Sequence, residues 1–525
     1  MSRSRRWVSW LSLGLALALG GWRDHDFRSS CPCMPDMDEG DGYPGASIDE
    51  EGCGCSVQFR CVCGVDPKGD DSGEPAESGE TGDTGTTGDG VCDDQTAVTL
   101  YLSADDSNSM SSPVQAREAA LGSFSSITAV PIRPWEFYNY YDFAYPPAPA
   151  GEIAVTAEMG RVRDAPEQFV LQIGVRSPAL TKKDRPGIDV TLVLDTSGSM
   201  EGQPIAMLLE VCRAIAANLK SGDRVSVVTW DTGNKVLLAA HPVVGPDDPG
   251  LLAAIATVDA AGGTDFHGGL VAGYDLAAAS RQPGRVSRVI MISDGGANAG
   301  VTDIELIAEH AGAEDEDGIY LVGVGVGSAD TYNDTLMDQV TDAGKGASVF
   351  VPNAGEAWRM FDDRFLSTLL VAARDVQVRV DLPPGFAIKK FSGEEYSSDP
   401  AEVEPQHLAP NDAMVFYQRM ETCAPELVDE QSTLTVTARY LDAVTLAAHE
   451  VSVTRTFAEL FAEASPRLLK GSALLAYTEA LTAVRLKGAD RAAKLQAALG
   501  AVDAAEVALP GDAALAELRG VLQAL

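Results

Sequence analysis

The chain has 525 residues, more than one hydrophobic core usually serves, so several domains, or one domain with large flanking parts, are expected. Its formal net charge is −38, from 77 acidic against 39 basic residues. That field repels phosphate backbones and anionic lipid and excludes nucleic acid as a partner. With 45% hydrophobic and 6% aromatic residues the composition is that of a soluble protein. No apolar run beyond the first two dozen positions is long enough for a bilayer span, so no integral membrane span is expected after signal cleavage.

At the N-terminus, Arg3, Arg5 and Arg6 precede an apolar stretch from Trp7 to Leu19, then small residues and charge at Arg23 and Asp24. This is the order of a secretory signal, placed at residues 1–21, and it predicts export to the periplasm, cell surface or exterior. The first cysteine, Cys31, lies well past the expected cleavage site, so a lipid anchor is not expected. A cysteine-rich segment (22–65) follows. Seven of the nine cysteines fall between Cys31 and Cys92, six of them as the C-x-C pairs Cys31/Cys33, Cys53/Cys55 and Cys61/Cys63. In an exported chain this density predicts disulfides. A zinc site is the rival, but it is disfavoured because C-x-C is tight for the usual C-x₂₋₄-C zinc spacing. Residues 66–95 are acidic and rich in Gly, Asp and Thr, with too little apolar surface to offset ordering entropy, and are expected to be a disordered linker.

From Thr96 the pattern becomes that of a folded body. Val98 to Leu102, Glu152 to Glu158 and Gln168 to Val175 read as strands of a β-rich flank (96–180). Residues 181–373 then alternate strand and helix. Ile188 to Leu194 is a β-branched and Leu run, and Ile205, Leu208, Leu209, Cys212, Ile215, Ala216 and Leu219 recur at helical spacing behind Pro204. Further strands are expected at Arg224 to Trp230, Ser287 to Ser293, Ile319 to Val326 and Ser348 to Val351, with helices at Gly268 to Arg281, Asp303 to Ala313, Thr335 to Ala343 and Glu356 to Leu370. Such alternation implies an α/β, doubly wound, mainly parallel sheet. Strands return in residues 374–460, and a helical region (461–525) closes the chain, with breaks near Gly488 and Gly511. The two β-rich flanks are expected to pair into one β-sandwich into which the α/β unit is inserted.

The chemistry concentrates at strand ends, where open parallel sheets bind ligands. Asp195, Ser197 and Ser199 follow the first α/β strand, Asp294 ends another in Ile-Ser-Asp-Gly, and Thr264 lies in a Gly-Gly-Thr-Asp loop between them. Two carboxylates and three hydroxyls form an all-oxygen donor set, which favours Mg2+, with Mn2+ or Ca2+ as alternatives. Asp105, Ser107 and Ser109 repeat the same D-x-S-x-S spelling without partner loops and read as a polar turn. Gly323, Gly325 and Gly327 lack the following helix a nucleotide needs, His267 reads as a loop residue beside the site, and Cys212 as core. Cys423 is a candidate partner for one of the N-terminal cysteines. No zinc-protease, nucleophile-elbow or P-loop motif is present, so the chain is not read as an enzyme.

The D-T-S-G-S, G-G-T-D and S-D-G pieces, in that order, resemble the metal-ion-dependent adhesion site of the von Willebrand factor type A (VWA) family. The stretches Trp135-Glu-Phe-Tyr-Asn-Tyr-Tyr-Asp-Phe-Ala-Tyr-Pro-Pro-Ala-Pro and Tyr332-Asn-Asp-Thr-Leu-Met-Asp-Gln-Val-Thr-Asp-Ala-Gly narrow the resemblance to bacterial secreted YfbK-like proteins. The resemblance implies a Rossmann-like fold, Ser197, Ser199 and Thr264 as direct ligands, Asp195 and Asp294 holding the ion and its waters, and a protein partner presenting Asp or Glu. It thus implies a secreted adhesion or scaffold protein. The alternatives are an accessory subunit of an envelope enzyme, secretion or assembly complex, and a structural envelope component with a purely stabilising ion. The sequence leaves the oligomeric state open.

Overall fold

The computed structural model describes residues 92–525, apart from 105–108, 123–125, 163–164, 283, 296–317, 329–331 and 463–464, together with the backbone of two short N-terminal strands. Those strands, β1 (Cys53–Cys55) and β2 (Cys61–Cys63), pair antiparallel with Cys53 opposite Cys63 and Cys55 opposite Cys61. The signal, the expected linker up to residue 91 and the helix expected at Asp303 to Ala313 lie outside the described residues, as does most of the second D-x-S-x-S stretch; the last four residues assigned to the linker, 92–95, are described and include the disulfide-bonded Cys92. Residues 1–78 and 79–525 form separate compact units, and the second holds every element from β3 onward.

This unit opens with strand β3 (Val98–Leu102). Two helices that the sequence did not announce come next, α1 (Ser111–Leu121) and α2 (Pro134–Tyr140). Neither has a solvent-facing polar stripe, so no helical period shows in its residues: Glu136, Phe137, Tyr138, Asn139 and Tyr140 are all buried. The β4–β5 hairpin (Ala154–Val162, Ala165–Arg176) completes the N-terminal flank.

The α/β insert comes after it. Its strands are β6 (Ile188–Asp195), β7 (Arg224–Trp230), β8 (Asn234–Pro242), β9 (Val286–Ser293), β10 (Tyr320–Val326) and β11 (Ser348–Val351), in the sheet order β11-β10-β9-β6-β7-β8. All pairings are parallel except β7 with β8. The added edge strand β8 is largely exposed and lacks the apolar run that marks its buried neighbours. Helices α3 (Gln203–Asn218), α4 (Pro249–Ile255), α5 (Phe266–Ser280), α6 (Asp334–Ala343), α7 (Ala354–Trp358) and α8 (Phe365–Leu369) surround the sheet. The stretch expected as one helix at Glu356 to Leu370 is therefore α7 and α8 joined by a π turn at Arg359–Asp363. Every residue of β6 is buried, and β6 lies between β7 and β9, so connections leave it in both directions. Ligands settle beyond strand ends at such a reversal.

The chain then returns to the flank it left. β12 (Ala373–Leu382) pairs with β3, and with β14 (Tyr396–Ser397), β15 (Gln406–Leu408), β17 (Thr433–Asp442) and β18 (Ala448–Thr456) it builds one antiparallel sheet. β13 (Phe386–Phe391) and β16 (Ala413–Thr422) join β5 and β4 in a second. The sheets share a core in which Leu102, Phe169, Leu171, Ile173, Val378 and Val436 are all buried. The two flanks thus meet in one sandwich around the insert. A disulfide joins Cys92 to Cys423 across 331 positions.

After the short helix α9 (Phe457–Ala462), three helices close the chain, α10 (Pro466–Arg485), α11 (Arg491–Ala508) and α12 (Ala513–Ala524), with breaks at Gly488 and Gly511. They share a hydrophobic core with the α/β insert, and α2 lies where the parts meet. Tyr138 stacks on Tyr417 at 5.9 Å and donates to the Gly471 carbonyl at 2.8 Å, while the Tyr141 hydroxyl donates to Glu517 at 2.8 Å. The aromatic stretch ahead of the insert is therefore a structural junction.

Candidate metal-binding site

Asp195 is the last residue of β6 and is fully buried. Its carboxylate accepts from the Ser197 backbone N–H at 2.9 Å and from the Ser293 hydroxyl at 2.6 Å. Ser293 ends β9, and its hydroxyl in turn accepts from the Gly295 N–H at 2.9 Å. One side chain thus ties the two central strand ends together. Gly295 turns with φ +77°, and a Cβ there would meet the Asn333 backbone nitrogen at 2.6 Å, so the turn carrying Asp294 needs glycine on both counts.

Ser197 precedes a short 3-10 turn, Gly198–Met200, which brings the Ser197 and Ser199 hydroxyls to 3.2 Å from each other. Ser197 is buried and Ser199 exposed, so the pair runs from the floor of the site to its surface. The loop carrying Thr264 is fixed through its backbone: Ala261 N–H donates to the Thr196 carbonyl at 2.7 Å, Gly198 N–H to the Gly262 carbonyl at 3.3 Å, and Gly263 N–H to the Thr232 hydroxyl at 2.7 Å. Asp265 then starts α5 by accepting from the Gly268 N–H at 3.0 Å. Thr264 is left exposed between these anchors, and so is His267.

Burial holds the Asp195 carboxyl above its ordinary pKa; hydrogen bonds from Ser293 and Ser197 pull the other way, and the nearby charge of Asp294 pushes it further up. The structure therefore joins Asp195, Ser197 and Ser199 through hydrogen bonds, couples Asp294 to Asp195 electrostatically, and anchors the Thr264 loop to the serine loop. Among the described residues no three His, Cys, Asp or Glu side chains form a metal cluster. The donors here are two carboxylates supplemented by hydroxyls, a set whose chemistry fits a hard divalent cation. Sequence reasoning includes Ser293 only as part of a motif and does not single out Thr232; both act through hydrogen bonds across loops, which no spacing records.

Two other sequence features have packing explanations. A Cβ on Gly323 would meet Thr341 at 2.7 Å and one on Gly325 would overlap the Tyr332 ring, so these glycines admit α6 close to β10. Cys212 is fully buried, and burial pushes its thiol up to about 12, which makes it an inert core residue.

Residues 190–297 match the family model of the von Willebrand factor type A domain. An uncharacterized Escherichia coli K12 protein, YfbK, is 24% identical over 221 residues, covering 42% of this chain and 38% of its own. An uncharacterized protein of Synechocystis sp. is 26% identical over 217 residues, 41% of this chain and 50% of its own. The chain thus spans half or less of the length of these curated relatives. A solved von Willebrand factor type A protein from Catenulispora acidiphila superposes with a TM-score of 0.45 at 15% identity, covering 71% of this chain and 96% of that one. With its reversal point at β6 and its family match running from that strand to the Asp294 turn, the insert in the sandwich is a von Willebrand factor type A domain.

Proposed function

We propose that this is an exported, metal-dependent protein-binding protein, an adhesion or scaffold component, whose VWA face captures an acidic side chain of a partner. The observation that carries the reading is the meeting of Asp195, Ser197, Ser199 and the Asp294 charge at the ends of two adjacent central strands, beside the anchored Thr264 loop. Ser197, Ser199 and Thr264 would offer hydroxyl oxygens and Asp195 and Asp294 carboxylates to Mg2+, or to Mn2+ or Ca2+. The bound cation supplies an attraction for a partner carboxylate that this acidic chain otherwise lacks. The buried hydrogen bonds of Asp195 fix the direction of approach, and the exposed rim at Ser199, Thr264 and His267 selects the partner. Export is supported by the signal-like N-terminus and by the Cys92–Cys423 disulfide, a bond that oxidising compartments favour. Among the described residues no helix is long and apolar enough to cross a membrane.

Calorimetric titration of Mg2+ and Mn2+ into the full chain tests this. Saturable binding is expected, lost in an Asp195→Ala, Asp294→Ala double variant whose circular dichroism and melting match the parent. A folded parent that binds neither cation would sink the proposal.

A further inference from the structure

We infer that the cysteine-rich unit carries a two-rung disulfide ladder, Cys53 to Cys63 and Cys55 to Cys61, formed by oxidation across the β1–β2 pair. Of the nine cysteines, Cys92 and Cys423 are joined and Cys212 is buried in the core, which leaves six between Cys31 and Cys63. Four of these six are the end residues of β1 and β2. The strands pair antiparallel, with Cys53 opposite Cys63, Gly54 opposite Val62 and Cys55 opposite Cys61. Alternate residues of a strand share a face, and so do directly opposite residues of a pair. This register therefore puts all four cysteines on one face of the hairpin.

Four cysteines allow three pairings, and the register separates them. Directly opposite residues lie about 4.5–5.5 Å apart at Cα, inside the span of about 4.4–6.8 Å that a disulfide bridges. The diagonal partners, Cys53 with Cys61 and Cys55 with Cys63, are about 7–8 Å apart and beyond that reach. Within one strand Cys53 and Cys55 are about 6.6 Å apart, at the upper limit, and bridging them would shorten an extended strand. A single zinc ion asks for four sulfurs at the corners of a tetrahedron, whereas one sheet face offers the corners of a rectangle. The same chain already holds a disulfide between Cys92 and Cys423. Strands of three residues are marginal as a hairpin in water, and two rungs close this one covalently. Each rung forms by exchange with a disulfide carrier, protein or small molecule. One cysteine thiolate attacks the carrier and releases one carrier thiol, and the opposite thiolate breaks the mixed disulfide and releases the second. Two cysteine thiols are oxidised, one carrier disulfide is reduced, and the two protons pass to the carrier.

The test holds the full chain in a buffer of oxidised and reduced glutathione, with and without equimolar Zn2+, quenches it in acid, alkylates free thiols and maps the peptides by mass spectrometry. Cleavage after Glu51, Arg60 and Lys68 yields the peptides 52–60 and 61–68. These are expected to stay joined, with none of their four cysteines alkylated, until a reductant separates them, and Zn2+ is expected to leave this map unchanged. Cys53→Ser is expected to free Cys63 alone and Cys55→Ser to free Cys61 alone, each variant keeping the other rung. The inference is overturned if the two peptides separate before reduction, if Cys53→Ser frees a cysteine other than Cys63, or if Zn2+ binds at one equivalent and keeps the four thiols reduced.

Discussion

The insert and the sandwich that hosts it are held in different ways. At the base of the VWA sheet charges are buried in pairs: Arg185 and Asp223 are wholly buried, with Arg185 Nη1 at 3.0 Å from the carboxylate, which also accepts from the Ile188 N–H at 3.1 Å. Beside them Asp189 receives both Arg224 and Arg285, and these partners hold its carboxyl below its ordinary pKa against the effect of burial. In the sandwich the corresponding place is aromatic. Phe169 lies 5.2, 6.4 and 6.0 Å from Phe386, Phe457 and Phe461. A parallel sheet exposes a row of unpaired backbone ends that polar side chains can satisfy, whereas two stacked antiparallel sheets need apolar volume between them.

The contrast predicts how each region fails. Phe169→Ala empties a fully buried ring position and should cost about 3–5 kcal/mol, read as a lower urea midpoint with an unchanged slope. Asp223→Ala leaves the Arg185 charge without its carboxylate and should cost a similar or slightly smaller amount, about 3–4 kcal/mol. The charge-free pair Arg185→Met, Asp223→Leu should recover most of that loss, while no single replacement of comparable kind rescues Phe169→Ala. Equal sensitivity of the two sites to such swaps would erase the distinction.

A smaller effect comes from the junction between them. Glu136 is buried in α2, and burial pushes its carboxyl up to about 7; Arg133 opposes this, while Asp334 and Asp338 add to it. The folded state therefore holds this proton more tightly than the unfolded chain, whose ordinary value is 4.5. Stability from this group is full below pH 4.5 and is lost as pH rises through 7. Asp334 moves the other way, held down by Arg133 against burial, so its contribution is present above its ordinary value of 3.8 and falls away in acid. Glu136→Gln should flatten the decline between pH 5 and 7.5 by on the order of 1–2 kcal/mol, measured from urea midpoints across that range. An unaltered pH profile would remove Glu136 as its source.

The two regions also differ in how far the sequence discloses them. Parallel strands buried on both faces appear as apolar runs, and β7 and β11 coincide with the runs Arg224 to Trp230 and Ser348 to Val351. The breaks at Gly488 and Gly511 are likewise legible, since glycine interrupts an Ala- and Leu-rich helical pattern. β8 escapes such a reading because its residues alternate weakly at an exposed edge, and α2 because it is buried on every side. At the candidate metal-binding face the oxygen-bearing residues are spelled out in short motifs, but the Ser293 bridge and the Thr232 anchor arise only when separate loops fold together.

The Cys92–Cys423 bond also decides where tension enters the molecule. Cys92 lies six positions ahead of β3, which is held by β12 and β14. Without the crosslink, a pull on the chain before Cys92 would load the first hydrogen bond of β3 and peel that strand residue by residue. With it, the load crosses to Cys423 just beyond β16, and the stretch between Cys92 and β3 stays slack. The oxidised protein can thus bear force from its N-terminal side without unzipping the strand that begins the sandwich.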